Sequence, residues 1–315
     1  MVKFGFCSEV QYLRAGEHRR YAGAHAAYGL LDVGENPSEE QIRAFEDLSF
    51  TLRTSNGTFR TTFRQRFQDV DAAAMKWMEQ FYGADSEVEI EDRAASHGLT
   101  SWEWADRVFR KFPRAKFEAS DLLVELIELS RGGEAYIVEP DGWPLQYVNP
   151  PFAVPLAYPE SWRYPVNRLV ALRARSRFAK LDLGKNWKET AQERGWRVRR
   201  ISCVHPLARE LGRRNANFQF RLRSVFDQTG GTCDVLRTMN IFNRSYFLAK
   251  DLAQGASAVF QSLRPGGIWI VGRTWEHDCS NHASLLRRSD RGWELLERIG
   301  TGWEMEPAAL GGTWV

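Results

Sequence analysis

The 315-residue chain is poor in cysteine and lacks patterned metal ligands, and these shortages narrow its chemistry first. Its four cysteines, Cys7, Cys203, Cys233 and Cys279, lie far apart with no Cys-x-x-Cys spacing. They are expected to be reduced, mostly buried thiols of a cytoplasmic protein, not a zinc site or a disulfide frame. No His-x-x-x-His pair occurs, so no metal site is expected. A Gly-x-Ser-x-Gly elbow and a Gly-Lys-Ser/Thr phosphate loop are also missing, which argues against two common hydrolase designs. No run approaches 18 consecutive apolar residues, and the opening MVKFGFCSEVQYLR has no apolar core of leader length. Neither a membrane span nor a secretory leader is expected.

What is present suits a large globular core, built as one large domain or one domain with a smaller attachment. The chain is 43% hydrophobic and 26% charged, with 12 Trp and 19 Phe to fill that core. A net charge of +3 conceals an asymmetry. Between Trp162 and Arg223 stand 17 Lys and Arg against four acids (Asp182, Glu189, Glu193, Glu210), about +13; the remainder is about −10. Such a block predicts a phosphate, carboxylate or nucleic-acid partner, or else a solvated helical face.

The most informative stretch runs from Val88 to Asp121. Val88 and Ile90 alternate with charged neighbours up to Asp92, as in a strand entering a sheet. Ala94, Ala95, Ser96 and Gly98 are small enough for a ligand to approach their backbone. Leu99 to Phe112 has helical spacing, with Leu99, Trp102, Val108, Phe109 and Phe112 available for burial, and Pro113 stops it. Lys116 to Ala119 is a short second strand, and Asp121 follows it, 23 residues after Gly98. A small-residue turn opening a helix, with an acid about 20 residues on, is the layout of a βαβ nucleoside-binding unit.

Elsewhere, residues 1–83 are expected to form a helical cap. Pro37-Ser38 with Gln41 forms a capping box before Ile42, Phe45, Leu48 and Leu52, and a further helix is predicted over 70–81. Asn56-Gly57 ends the first of these helices. Tyr12, Arg14, His18, Arg19, Tyr21 and His25 form a polar-aromatic group suited to a ligand or to interhelix contacts. Leu122 to Leu129 reads as a short helix. A hairpin is predicted about Pro140-Asp141-Gly142-Trp143, a connector over 149–165, and a basic helix over 166–181. Strands over 196–204 and 218–225 flank a helix at 206–214. Strand–helix alternation then resumes, with CDVLR (233–237), a helix over 246–263, the turn Arg264-Pro265-Gly266-Gly267 and IWIVG (268–272). A closing hairpin pairs 284–288 with 293–298. The expected fold is α/β, a mostly parallel Rossmann-like sheet with a reversed last strand. Its bounds would be 84–315, with a basic insertion at about 134–216 before the fourth strand.

Taken together, Asp92-x-Ala94-x-Ser96-x-Gly98, Asp121, the Leu263-Arg264-Pro265-Gly266-Gly267 turn and the closing hairpin resemble the class I S-adenosylmethionine (SAM) methyltransferases. Two segments are most similar to the chemotaxis-receptor glutamate methyltransferases. These are Ala94-Ala95-Ser96-His97-Gly98 and Asp234-Val235-Leu236-Arg237-Thr238-Met239-Asn240-Ile241-Phe242 with Tyr246-Phe247. Leu99 and Thr100 replace two acids of that family, and Arg237-Thr238-Met239-Asn240 replaces its Cys-Arg-Asn, so the receptor substrate does not carry over.

The resemblance implies that Asp92 and Ala94 to Gly98 lie beside SAM, with Asp121 on its ribose; the alternative for Asp121 is the N-cap of a helix from Leu122 onward. Leu122, Val225 and Phe226 would border adenine, and Arg237 and Thr238 would complete the cofactor contacts. His97 would support the turn. The acceptor is expected at the carboxyl edge of the fourth strand, near Arg237, Asn240, Asn243, Tyr246 and Arg273, with Asn240 and Tyr246 as candidate catalytic residues. Asn240 suits a hydrogen bond to the cofactor amine or the acceptor, or a cap on the next turn. Arg237 suits either a carboxylate clamp or a structural ion pair. Glu276, His277 and His282 follow the fifth strand, and either histidine is a candidate general base should the acceptor be a hydroxyl.

Three functions follow. The first is SAM-dependent methylation, at oxygen, of a small or peptidic acceptor carrying negative charge, with S-adenosylhomocysteine as product. The second is nucleic-acid binding or methylation through the 162–223 block. The third is a non-catalytic scaffold of the same fold.

Overall fold

The computed structural model describes residues 1–18, 26–55, 57, 60–157 and 164–314. Strand β1 (Glu89–Arg93) is buried along nearly its whole length, as a strand with both faces covered must be. It pairs in parallel with β2 (Lys116–Asp121) on one side and β9 (Cys233–Met239) on the other. The parallel set extends through β8 (Phe218–Leu222) beyond β2 and β10 (Leu263–Thr274) beyond β9. Two further strands, β11 (Asn281–Ser289) and β12 (Gly292–Ile299), complete a seven-stranded sheet of order β12-β11-β10-β9-β1-β2-β8. The fold is therefore mixed α/β with a parallel-dominated sheet of Rossmann-like type. The reversed strand is β11; β12 turns back again, since each partner in a meander must reverse. The Arg264–Gly267 turn lies inside β10 as a break in register between Leu263 and Ile268.

The chain forms two compact units, one of Met1–Thr61 with Leu123–Pro206 and one of Thr62–Leu122 with Leu207–Val315. The seven-stranded sheet belongs to the second. Helix α3 (Gln68–Phe81) belongs with it too, so the expected cap over 1–83 is divided. Helix α4 (Leu99–Lys111) starts at Gly98, which is left-handed at φ 83°, and ends before Pro113. Its buried tryptophan is Trp104, whereas Trp102 stays half-exposed. Helices α7 (Pro206–Arg214) and α8 (Ala249–Ser262) and the short α9 (Glu306–Ala309) complete the helical set.

The first unit holds a five-stranded antiparallel sheet. Its strands are β3 (Glu125–Arg131), β4 (Glu134–Val138), β5 (Pro144–Asn149), β6 (Phe152–Pro155) and β7 (Arg197–Ser202), in the order β6-β5-β4-β3-β7. The helix expected over 122–129 is thus β3. Leu126, Ile127 and Leu129 are all buried, because helical cores cover both faces of the strand, and their spacing had mimicked a helix. The insertion falls between the second and third parallel strands, β2 and β8, and not before the fourth. Helices α1 (Glu9–Arg14) and α2 (Glu39–Thr51) pack here, with Tyr12, Phe45, Leu48 and Leu52 sharing a core with Leu126, Ile137 and Ile201. The Ser38–Gln41 capping box is formed. Tyr12 is buried against Phe6, so it faces core rather than ligand. Arg19, Tyr21, His25, Asn56 and Trp162 lie outside the described residues. Helices α5 (Pro165–Ala179) and α6 (Trp187–Glu193) cover the other face of the sheet.

One buried ion cluster ties the second unit together. Arg237 on β9 donates from Nε and an amino nitrogen to Asp92 on β1, at 3.0 and 2.5 Å, and from the other to Asp71 on α3 at 2.5 Å. Its guanidinium carbon lies 4.4 Å from the Trp104 ring centroid and 5.3 Å from that of Phe67. Burial pushes the Asp71 carboxyl up to about 7 against the opposing pull of Arg237 and Arg107, with the Asp92 and Glu103 carboxylates adding to the rise. Replacing Arg237 with Met should cost ~3–5 kcal/mol in urea unfolding, since two buried acids lose their partner. Asp71 binds protons more tightly folded than unfolded, so stability should fall as pH rises from about 4 through about 7. Asp71→Asn should abolish that fall, of at least ~1 kcal/mol, when unfolding midpoints are compared across this range.

Candidate functional site

Strand order reverses between β1 and β9: the chain runs outward through β2 and β8, then back through β9 and β10. In open α/β sheets, ligands bind at the carboxyl ends of strands flanking such a reversal. The turn after β1 sits there. Ala94 has φ 58°, Ser96 φ 56° and Gly98 φ 83°, so three alternate residues are left-handed although only one is glycine. L-residues pay for that conformation, and it persists only where neighbours hold it. They do so here: the Ala95 N–H donates to the Ser120 carbonyl at 2.9 Å and the Ser96 N–H to Asp121 Oδ2 at 2.7 Å. At Gly98 a Cβ would come within 2.5 Å of the Phe220 ring, so glycine is required for helix–strand packing as well as for φ.

Asp121 ends β2 half-exposed, and Leu122 beside it is 61% exposed. Leu222, opposite Asp121 in register, is 62% exposed. Leu222 is not among the contacts expected from the sequence; its place at a strand end beside the acid is the signal the sequence carries. Ser224 to Asp227 follow β8 in a tight turn in which the Ser224 N–H donates to Asp227 and the Phe226 N–H to Ser224 Oγ. Val225 is buried, and half-buried Phe226 packs edge-on to Phe242 and Phe247 at the border of the core. Buried Arg93 braces this turn, donating to the Asp227 carbonyl at 2.6 Å, to Glu91 and to Ser262.

Several expected contacts are engaged inside the protein instead. Asp92 and Arg237 are consumed by their mutual pairing, with Asp92 also accepting from Ser101 Oγ at 2.6 Å. Their side chains are buried, so neither the cofactor contact nor the carboxylate clamp expected of Arg237 fits. Thr238 is buried and accepts from the Trp269 indole N–H at 2.8 Å. Asn240, at φ 62°, accepts from the Thr274 N–H through its side chain at 2.7 Å. Asn243 is buried, donating to the Asn240 carbonyl and accepting from the Ser245 N–H. Both asparagines build the turn after β9. His97 is buried within the turn after β1.

An open cleft of about 740 Å³ lies past the carboxyl ends of β10 and β12, lined by Ser245, Arg273, Trp275, Glu276, His277 and Glu304 among others. Tyr246, next to Ser245, is half-exposed. Trp275 stacks on His282 at 3.8 Å. His282 does not offer a free base: its Nδ1 accepts the Thr301 N–H at 2.9 Å, which leaves Nε2–H to donate to Ser280 Oγ at 3.0 Å. Ser280 Oγ in turn donates to Asp278. Hydrogen bonds from the Ser280 N–H and hydroxyl hold the exposed Asp278 carboxylate below its ordinary range. His277 is exposed beside Asp278, 3.4 Å away. Arg66, which sequence reasoning missed, donates from Nε to Thr274 Oγ1 at 3.0 Å, and burial lowers its guanidinium against the opposing pull of Cys279, Tyr246 and Glu276. Its only signal was the alternation of arginine and phenylalanine before α3. Among the thiols, Cys203 and Cys233 are buried, Cys7 is half-buried and Cys279 exposed; none is in a disulfide, and burial pushes Cys233 far up.

These features define a doubly wound α/β unit with a ligand-type turn at its switch point. Among solved structures, the chain is similar to methyltransferases. An O-methyltransferase family protein from Burkholderia thailandensis is 14% identical over 86% of this chain and 53% of its own, with a TM-score of 0.30. The phosphoethanolamine N-methyltransferase 2 of Haemonchus contortus, in complex with S-adenosyl-L-methionine, is 12% identical over 74% of this chain and 35% of its own, at 0.33. The DszA carbon methyltransferase is 10% identical over 86% of this chain and 48% of its own, at 0.36. The chain thus spans about a third to a half of these structures. No protein-family model and no curated protein matches it.

The strained turn makes a direct prediction. Ala94→Gly or Ser96→Gly should raise stability by ~0.5–1 kcal/mol in chemical unfolding, as left-handed strain is relieved net of glycine's added chain entropy. Gly98→Ala should lower it by more than ~2 kcal/mol, from the clash with Phe220.

Proposed function

We propose that the chain binds SAM across the turn Ala94–Gly98 and transfers its methyl group to an oxygen of a small or peptidic, negatively charged acceptor. The observation that carries the reading is the turn itself. Left-handed backbone at residues 94, 96 and 98, opening a helix and stitched by a backbone N–H to the acid ending the next strand, forms a cradle at the switch point. Ala94, Ala95, Ser96 and Gly98 would lie along the methionine part. Asp121, whose Oδ2 takes the Ser96 N–H, would accept from the ribose hydroxyls as well. Leu122 and Leu222 supply exposed apolar surface for a base on either side of that acid.

SAM supplies a methyl group on a sulfonium, which an acceptor oxygen displaces in line, so the protein's task is chiefly alignment. The cleft beyond β10 supports the acceptor role. Arg273 offers a fork of donors to an anionic group, with Arg66 beside the same edge. A carboxylate acceptor needs no base; for a hydroxyl, exposed His277 is the one histidine of the pair with a ring nitrogen open to solvent. Exposed Tyr246, next in sequence to the cleft residue Ser245, would position the acceptor. The nucleic-acid reading is weaker, because Arg199, Arg200, Arg214, Arg221 and Arg223 of the basic block pair with nearby acids.

The test is calorimetric titration with S-adenosylhomocysteine. The parent chain should bind, and Asp121→Ala should lose at least ~1–3 kcal/mol of affinity from the abandoned ribose hydroxyls. Melting of the ligand-free variant separates this loss from simple loosening of the Ser96 turn. A parent chain that takes up no heat with the nucleoside overturns the proposal.

A further inference from the structure

The surplus positive charge of the first unit concentrates on α5. At about 100° per residue, Leu169 and Leu172 fall about 60° apart on the face opposite the buried Ala171 and Ala174. Leu169 is 68% exposed and Leu172 45%, with Val166 in the first turn at 40%. Arg173 and Lys180 flank the leucines on one side, Arg168 and Arg175 on the other. Arg173, Arg175 and Lys180 are exposed and make no ion pair among the described residues, whereas Arg177 is held by Glu134. The chain start reaches the same helix: Lys3 and Asn167 exchange two hydrogen bonds through the Lys3 backbone, and Phe4, which follows, is 62% exposed.

A helix on the surface of a domain needs one apolar face, and α5 uses Ala171, Ala174 and their neighbours for that. The second apolar stripe, Leu169 and Leu172, joins no core cluster among the described residues. Between two rows of cations it matches the chemistry of a bilayer surface: aliphatic tips leave water at the acyl boundary while long basic side chains reach anionic headgroups. A nucleic acid would use the cations but would gain nothing from leucines. We propose that this face of α5 docks the protein on an anionic lipid surface, without spanning it; no described helix is long and apolar enough to cross a membrane.

The test is co-sedimentation of the full chain with phosphatidylcholine vesicles, with and without phosphatidylglycerol. Binding should require phosphatidylglycerol and weaken with salt. The double variants Leu169→Ser/Leu172→Ser and Arg173→Glu/Arg175→Glu should each reduce the bound fraction about tenfold or more. Both alter exposed side chains, and unchanged melting confirms that they fold. A control reversal on the other unit, Arg110→Glu/Lys111→Glu, should leave binding intact. Equal loss in that control, equal binding to neutral vesicles, or no binding by the parent overturns the proposal. So does tight binding to single-stranded RNA that the arginine variant abolishes and the leucine variant leaves unchanged.

Discussion

The second unit depends on a guanidinium that has left water. Arg237 sits at the meeting of β1, β9, α3 and α4, held by two carboxylates in the plane of its fork and by the Trp104 and Phe67 rings. Desolvating such a group is expensive, and only this density of partners offsets it. The arrangement fixes β9 against β1 at the place where strand order reverses. Because the cluster lies one residue inside the turn that follows β1, the backbone of that turn starts from a rigid base.

That rigidity explains how the turn tolerates Ala94 and Ser96 where glycine would be easier. Two amides of the turn are bonded to the end of β2, one of them by the carboxylate of Asp121. Asp121 therefore serves the protein before it serves any ligand. On the opposite side Arg93 pins the turn after β8 to β1. The carboxyl edge of the sheet is thus shaped by buried cations beneath it.

Much of this was legible in the sequence. Strands β1, β2, β9 and the core of β10, the helices at 70–81, 99–112 and 206–214, and both hairpins follow from periodicity and turn chemistry. The Ser38 cap was plain from four residues. Less legible was β3, because a strand covered on both faces has no alternation to read. The direction of Arg237 and Thr238 was also hidden. Both lie at a strand end where a ligand contact would suit them, and only the presence of Asp71, Asp92 and Trp269 in three dimensions turns them inward. His282 is a similar case, since its lone pair goes to a backbone amide nineteen residues away.

The first unit is discontinuous, and this bears on the order of synthesis. Leu31, Phe45 and Leu48 leave the ribosome long before Leu126, Ile137 and Ile201, the strand residues with which they share a core. Between them the chain must make β1, α4 and β2, which belong elsewhere and await β8 to β12 in their turn. The first unit cannot close until β7 has emerged, so the early helices α1 and α2 stay exposed until then. A protein wired in this way will respond to chaperone supply and elongation rate more than one whose units follow each other end to end.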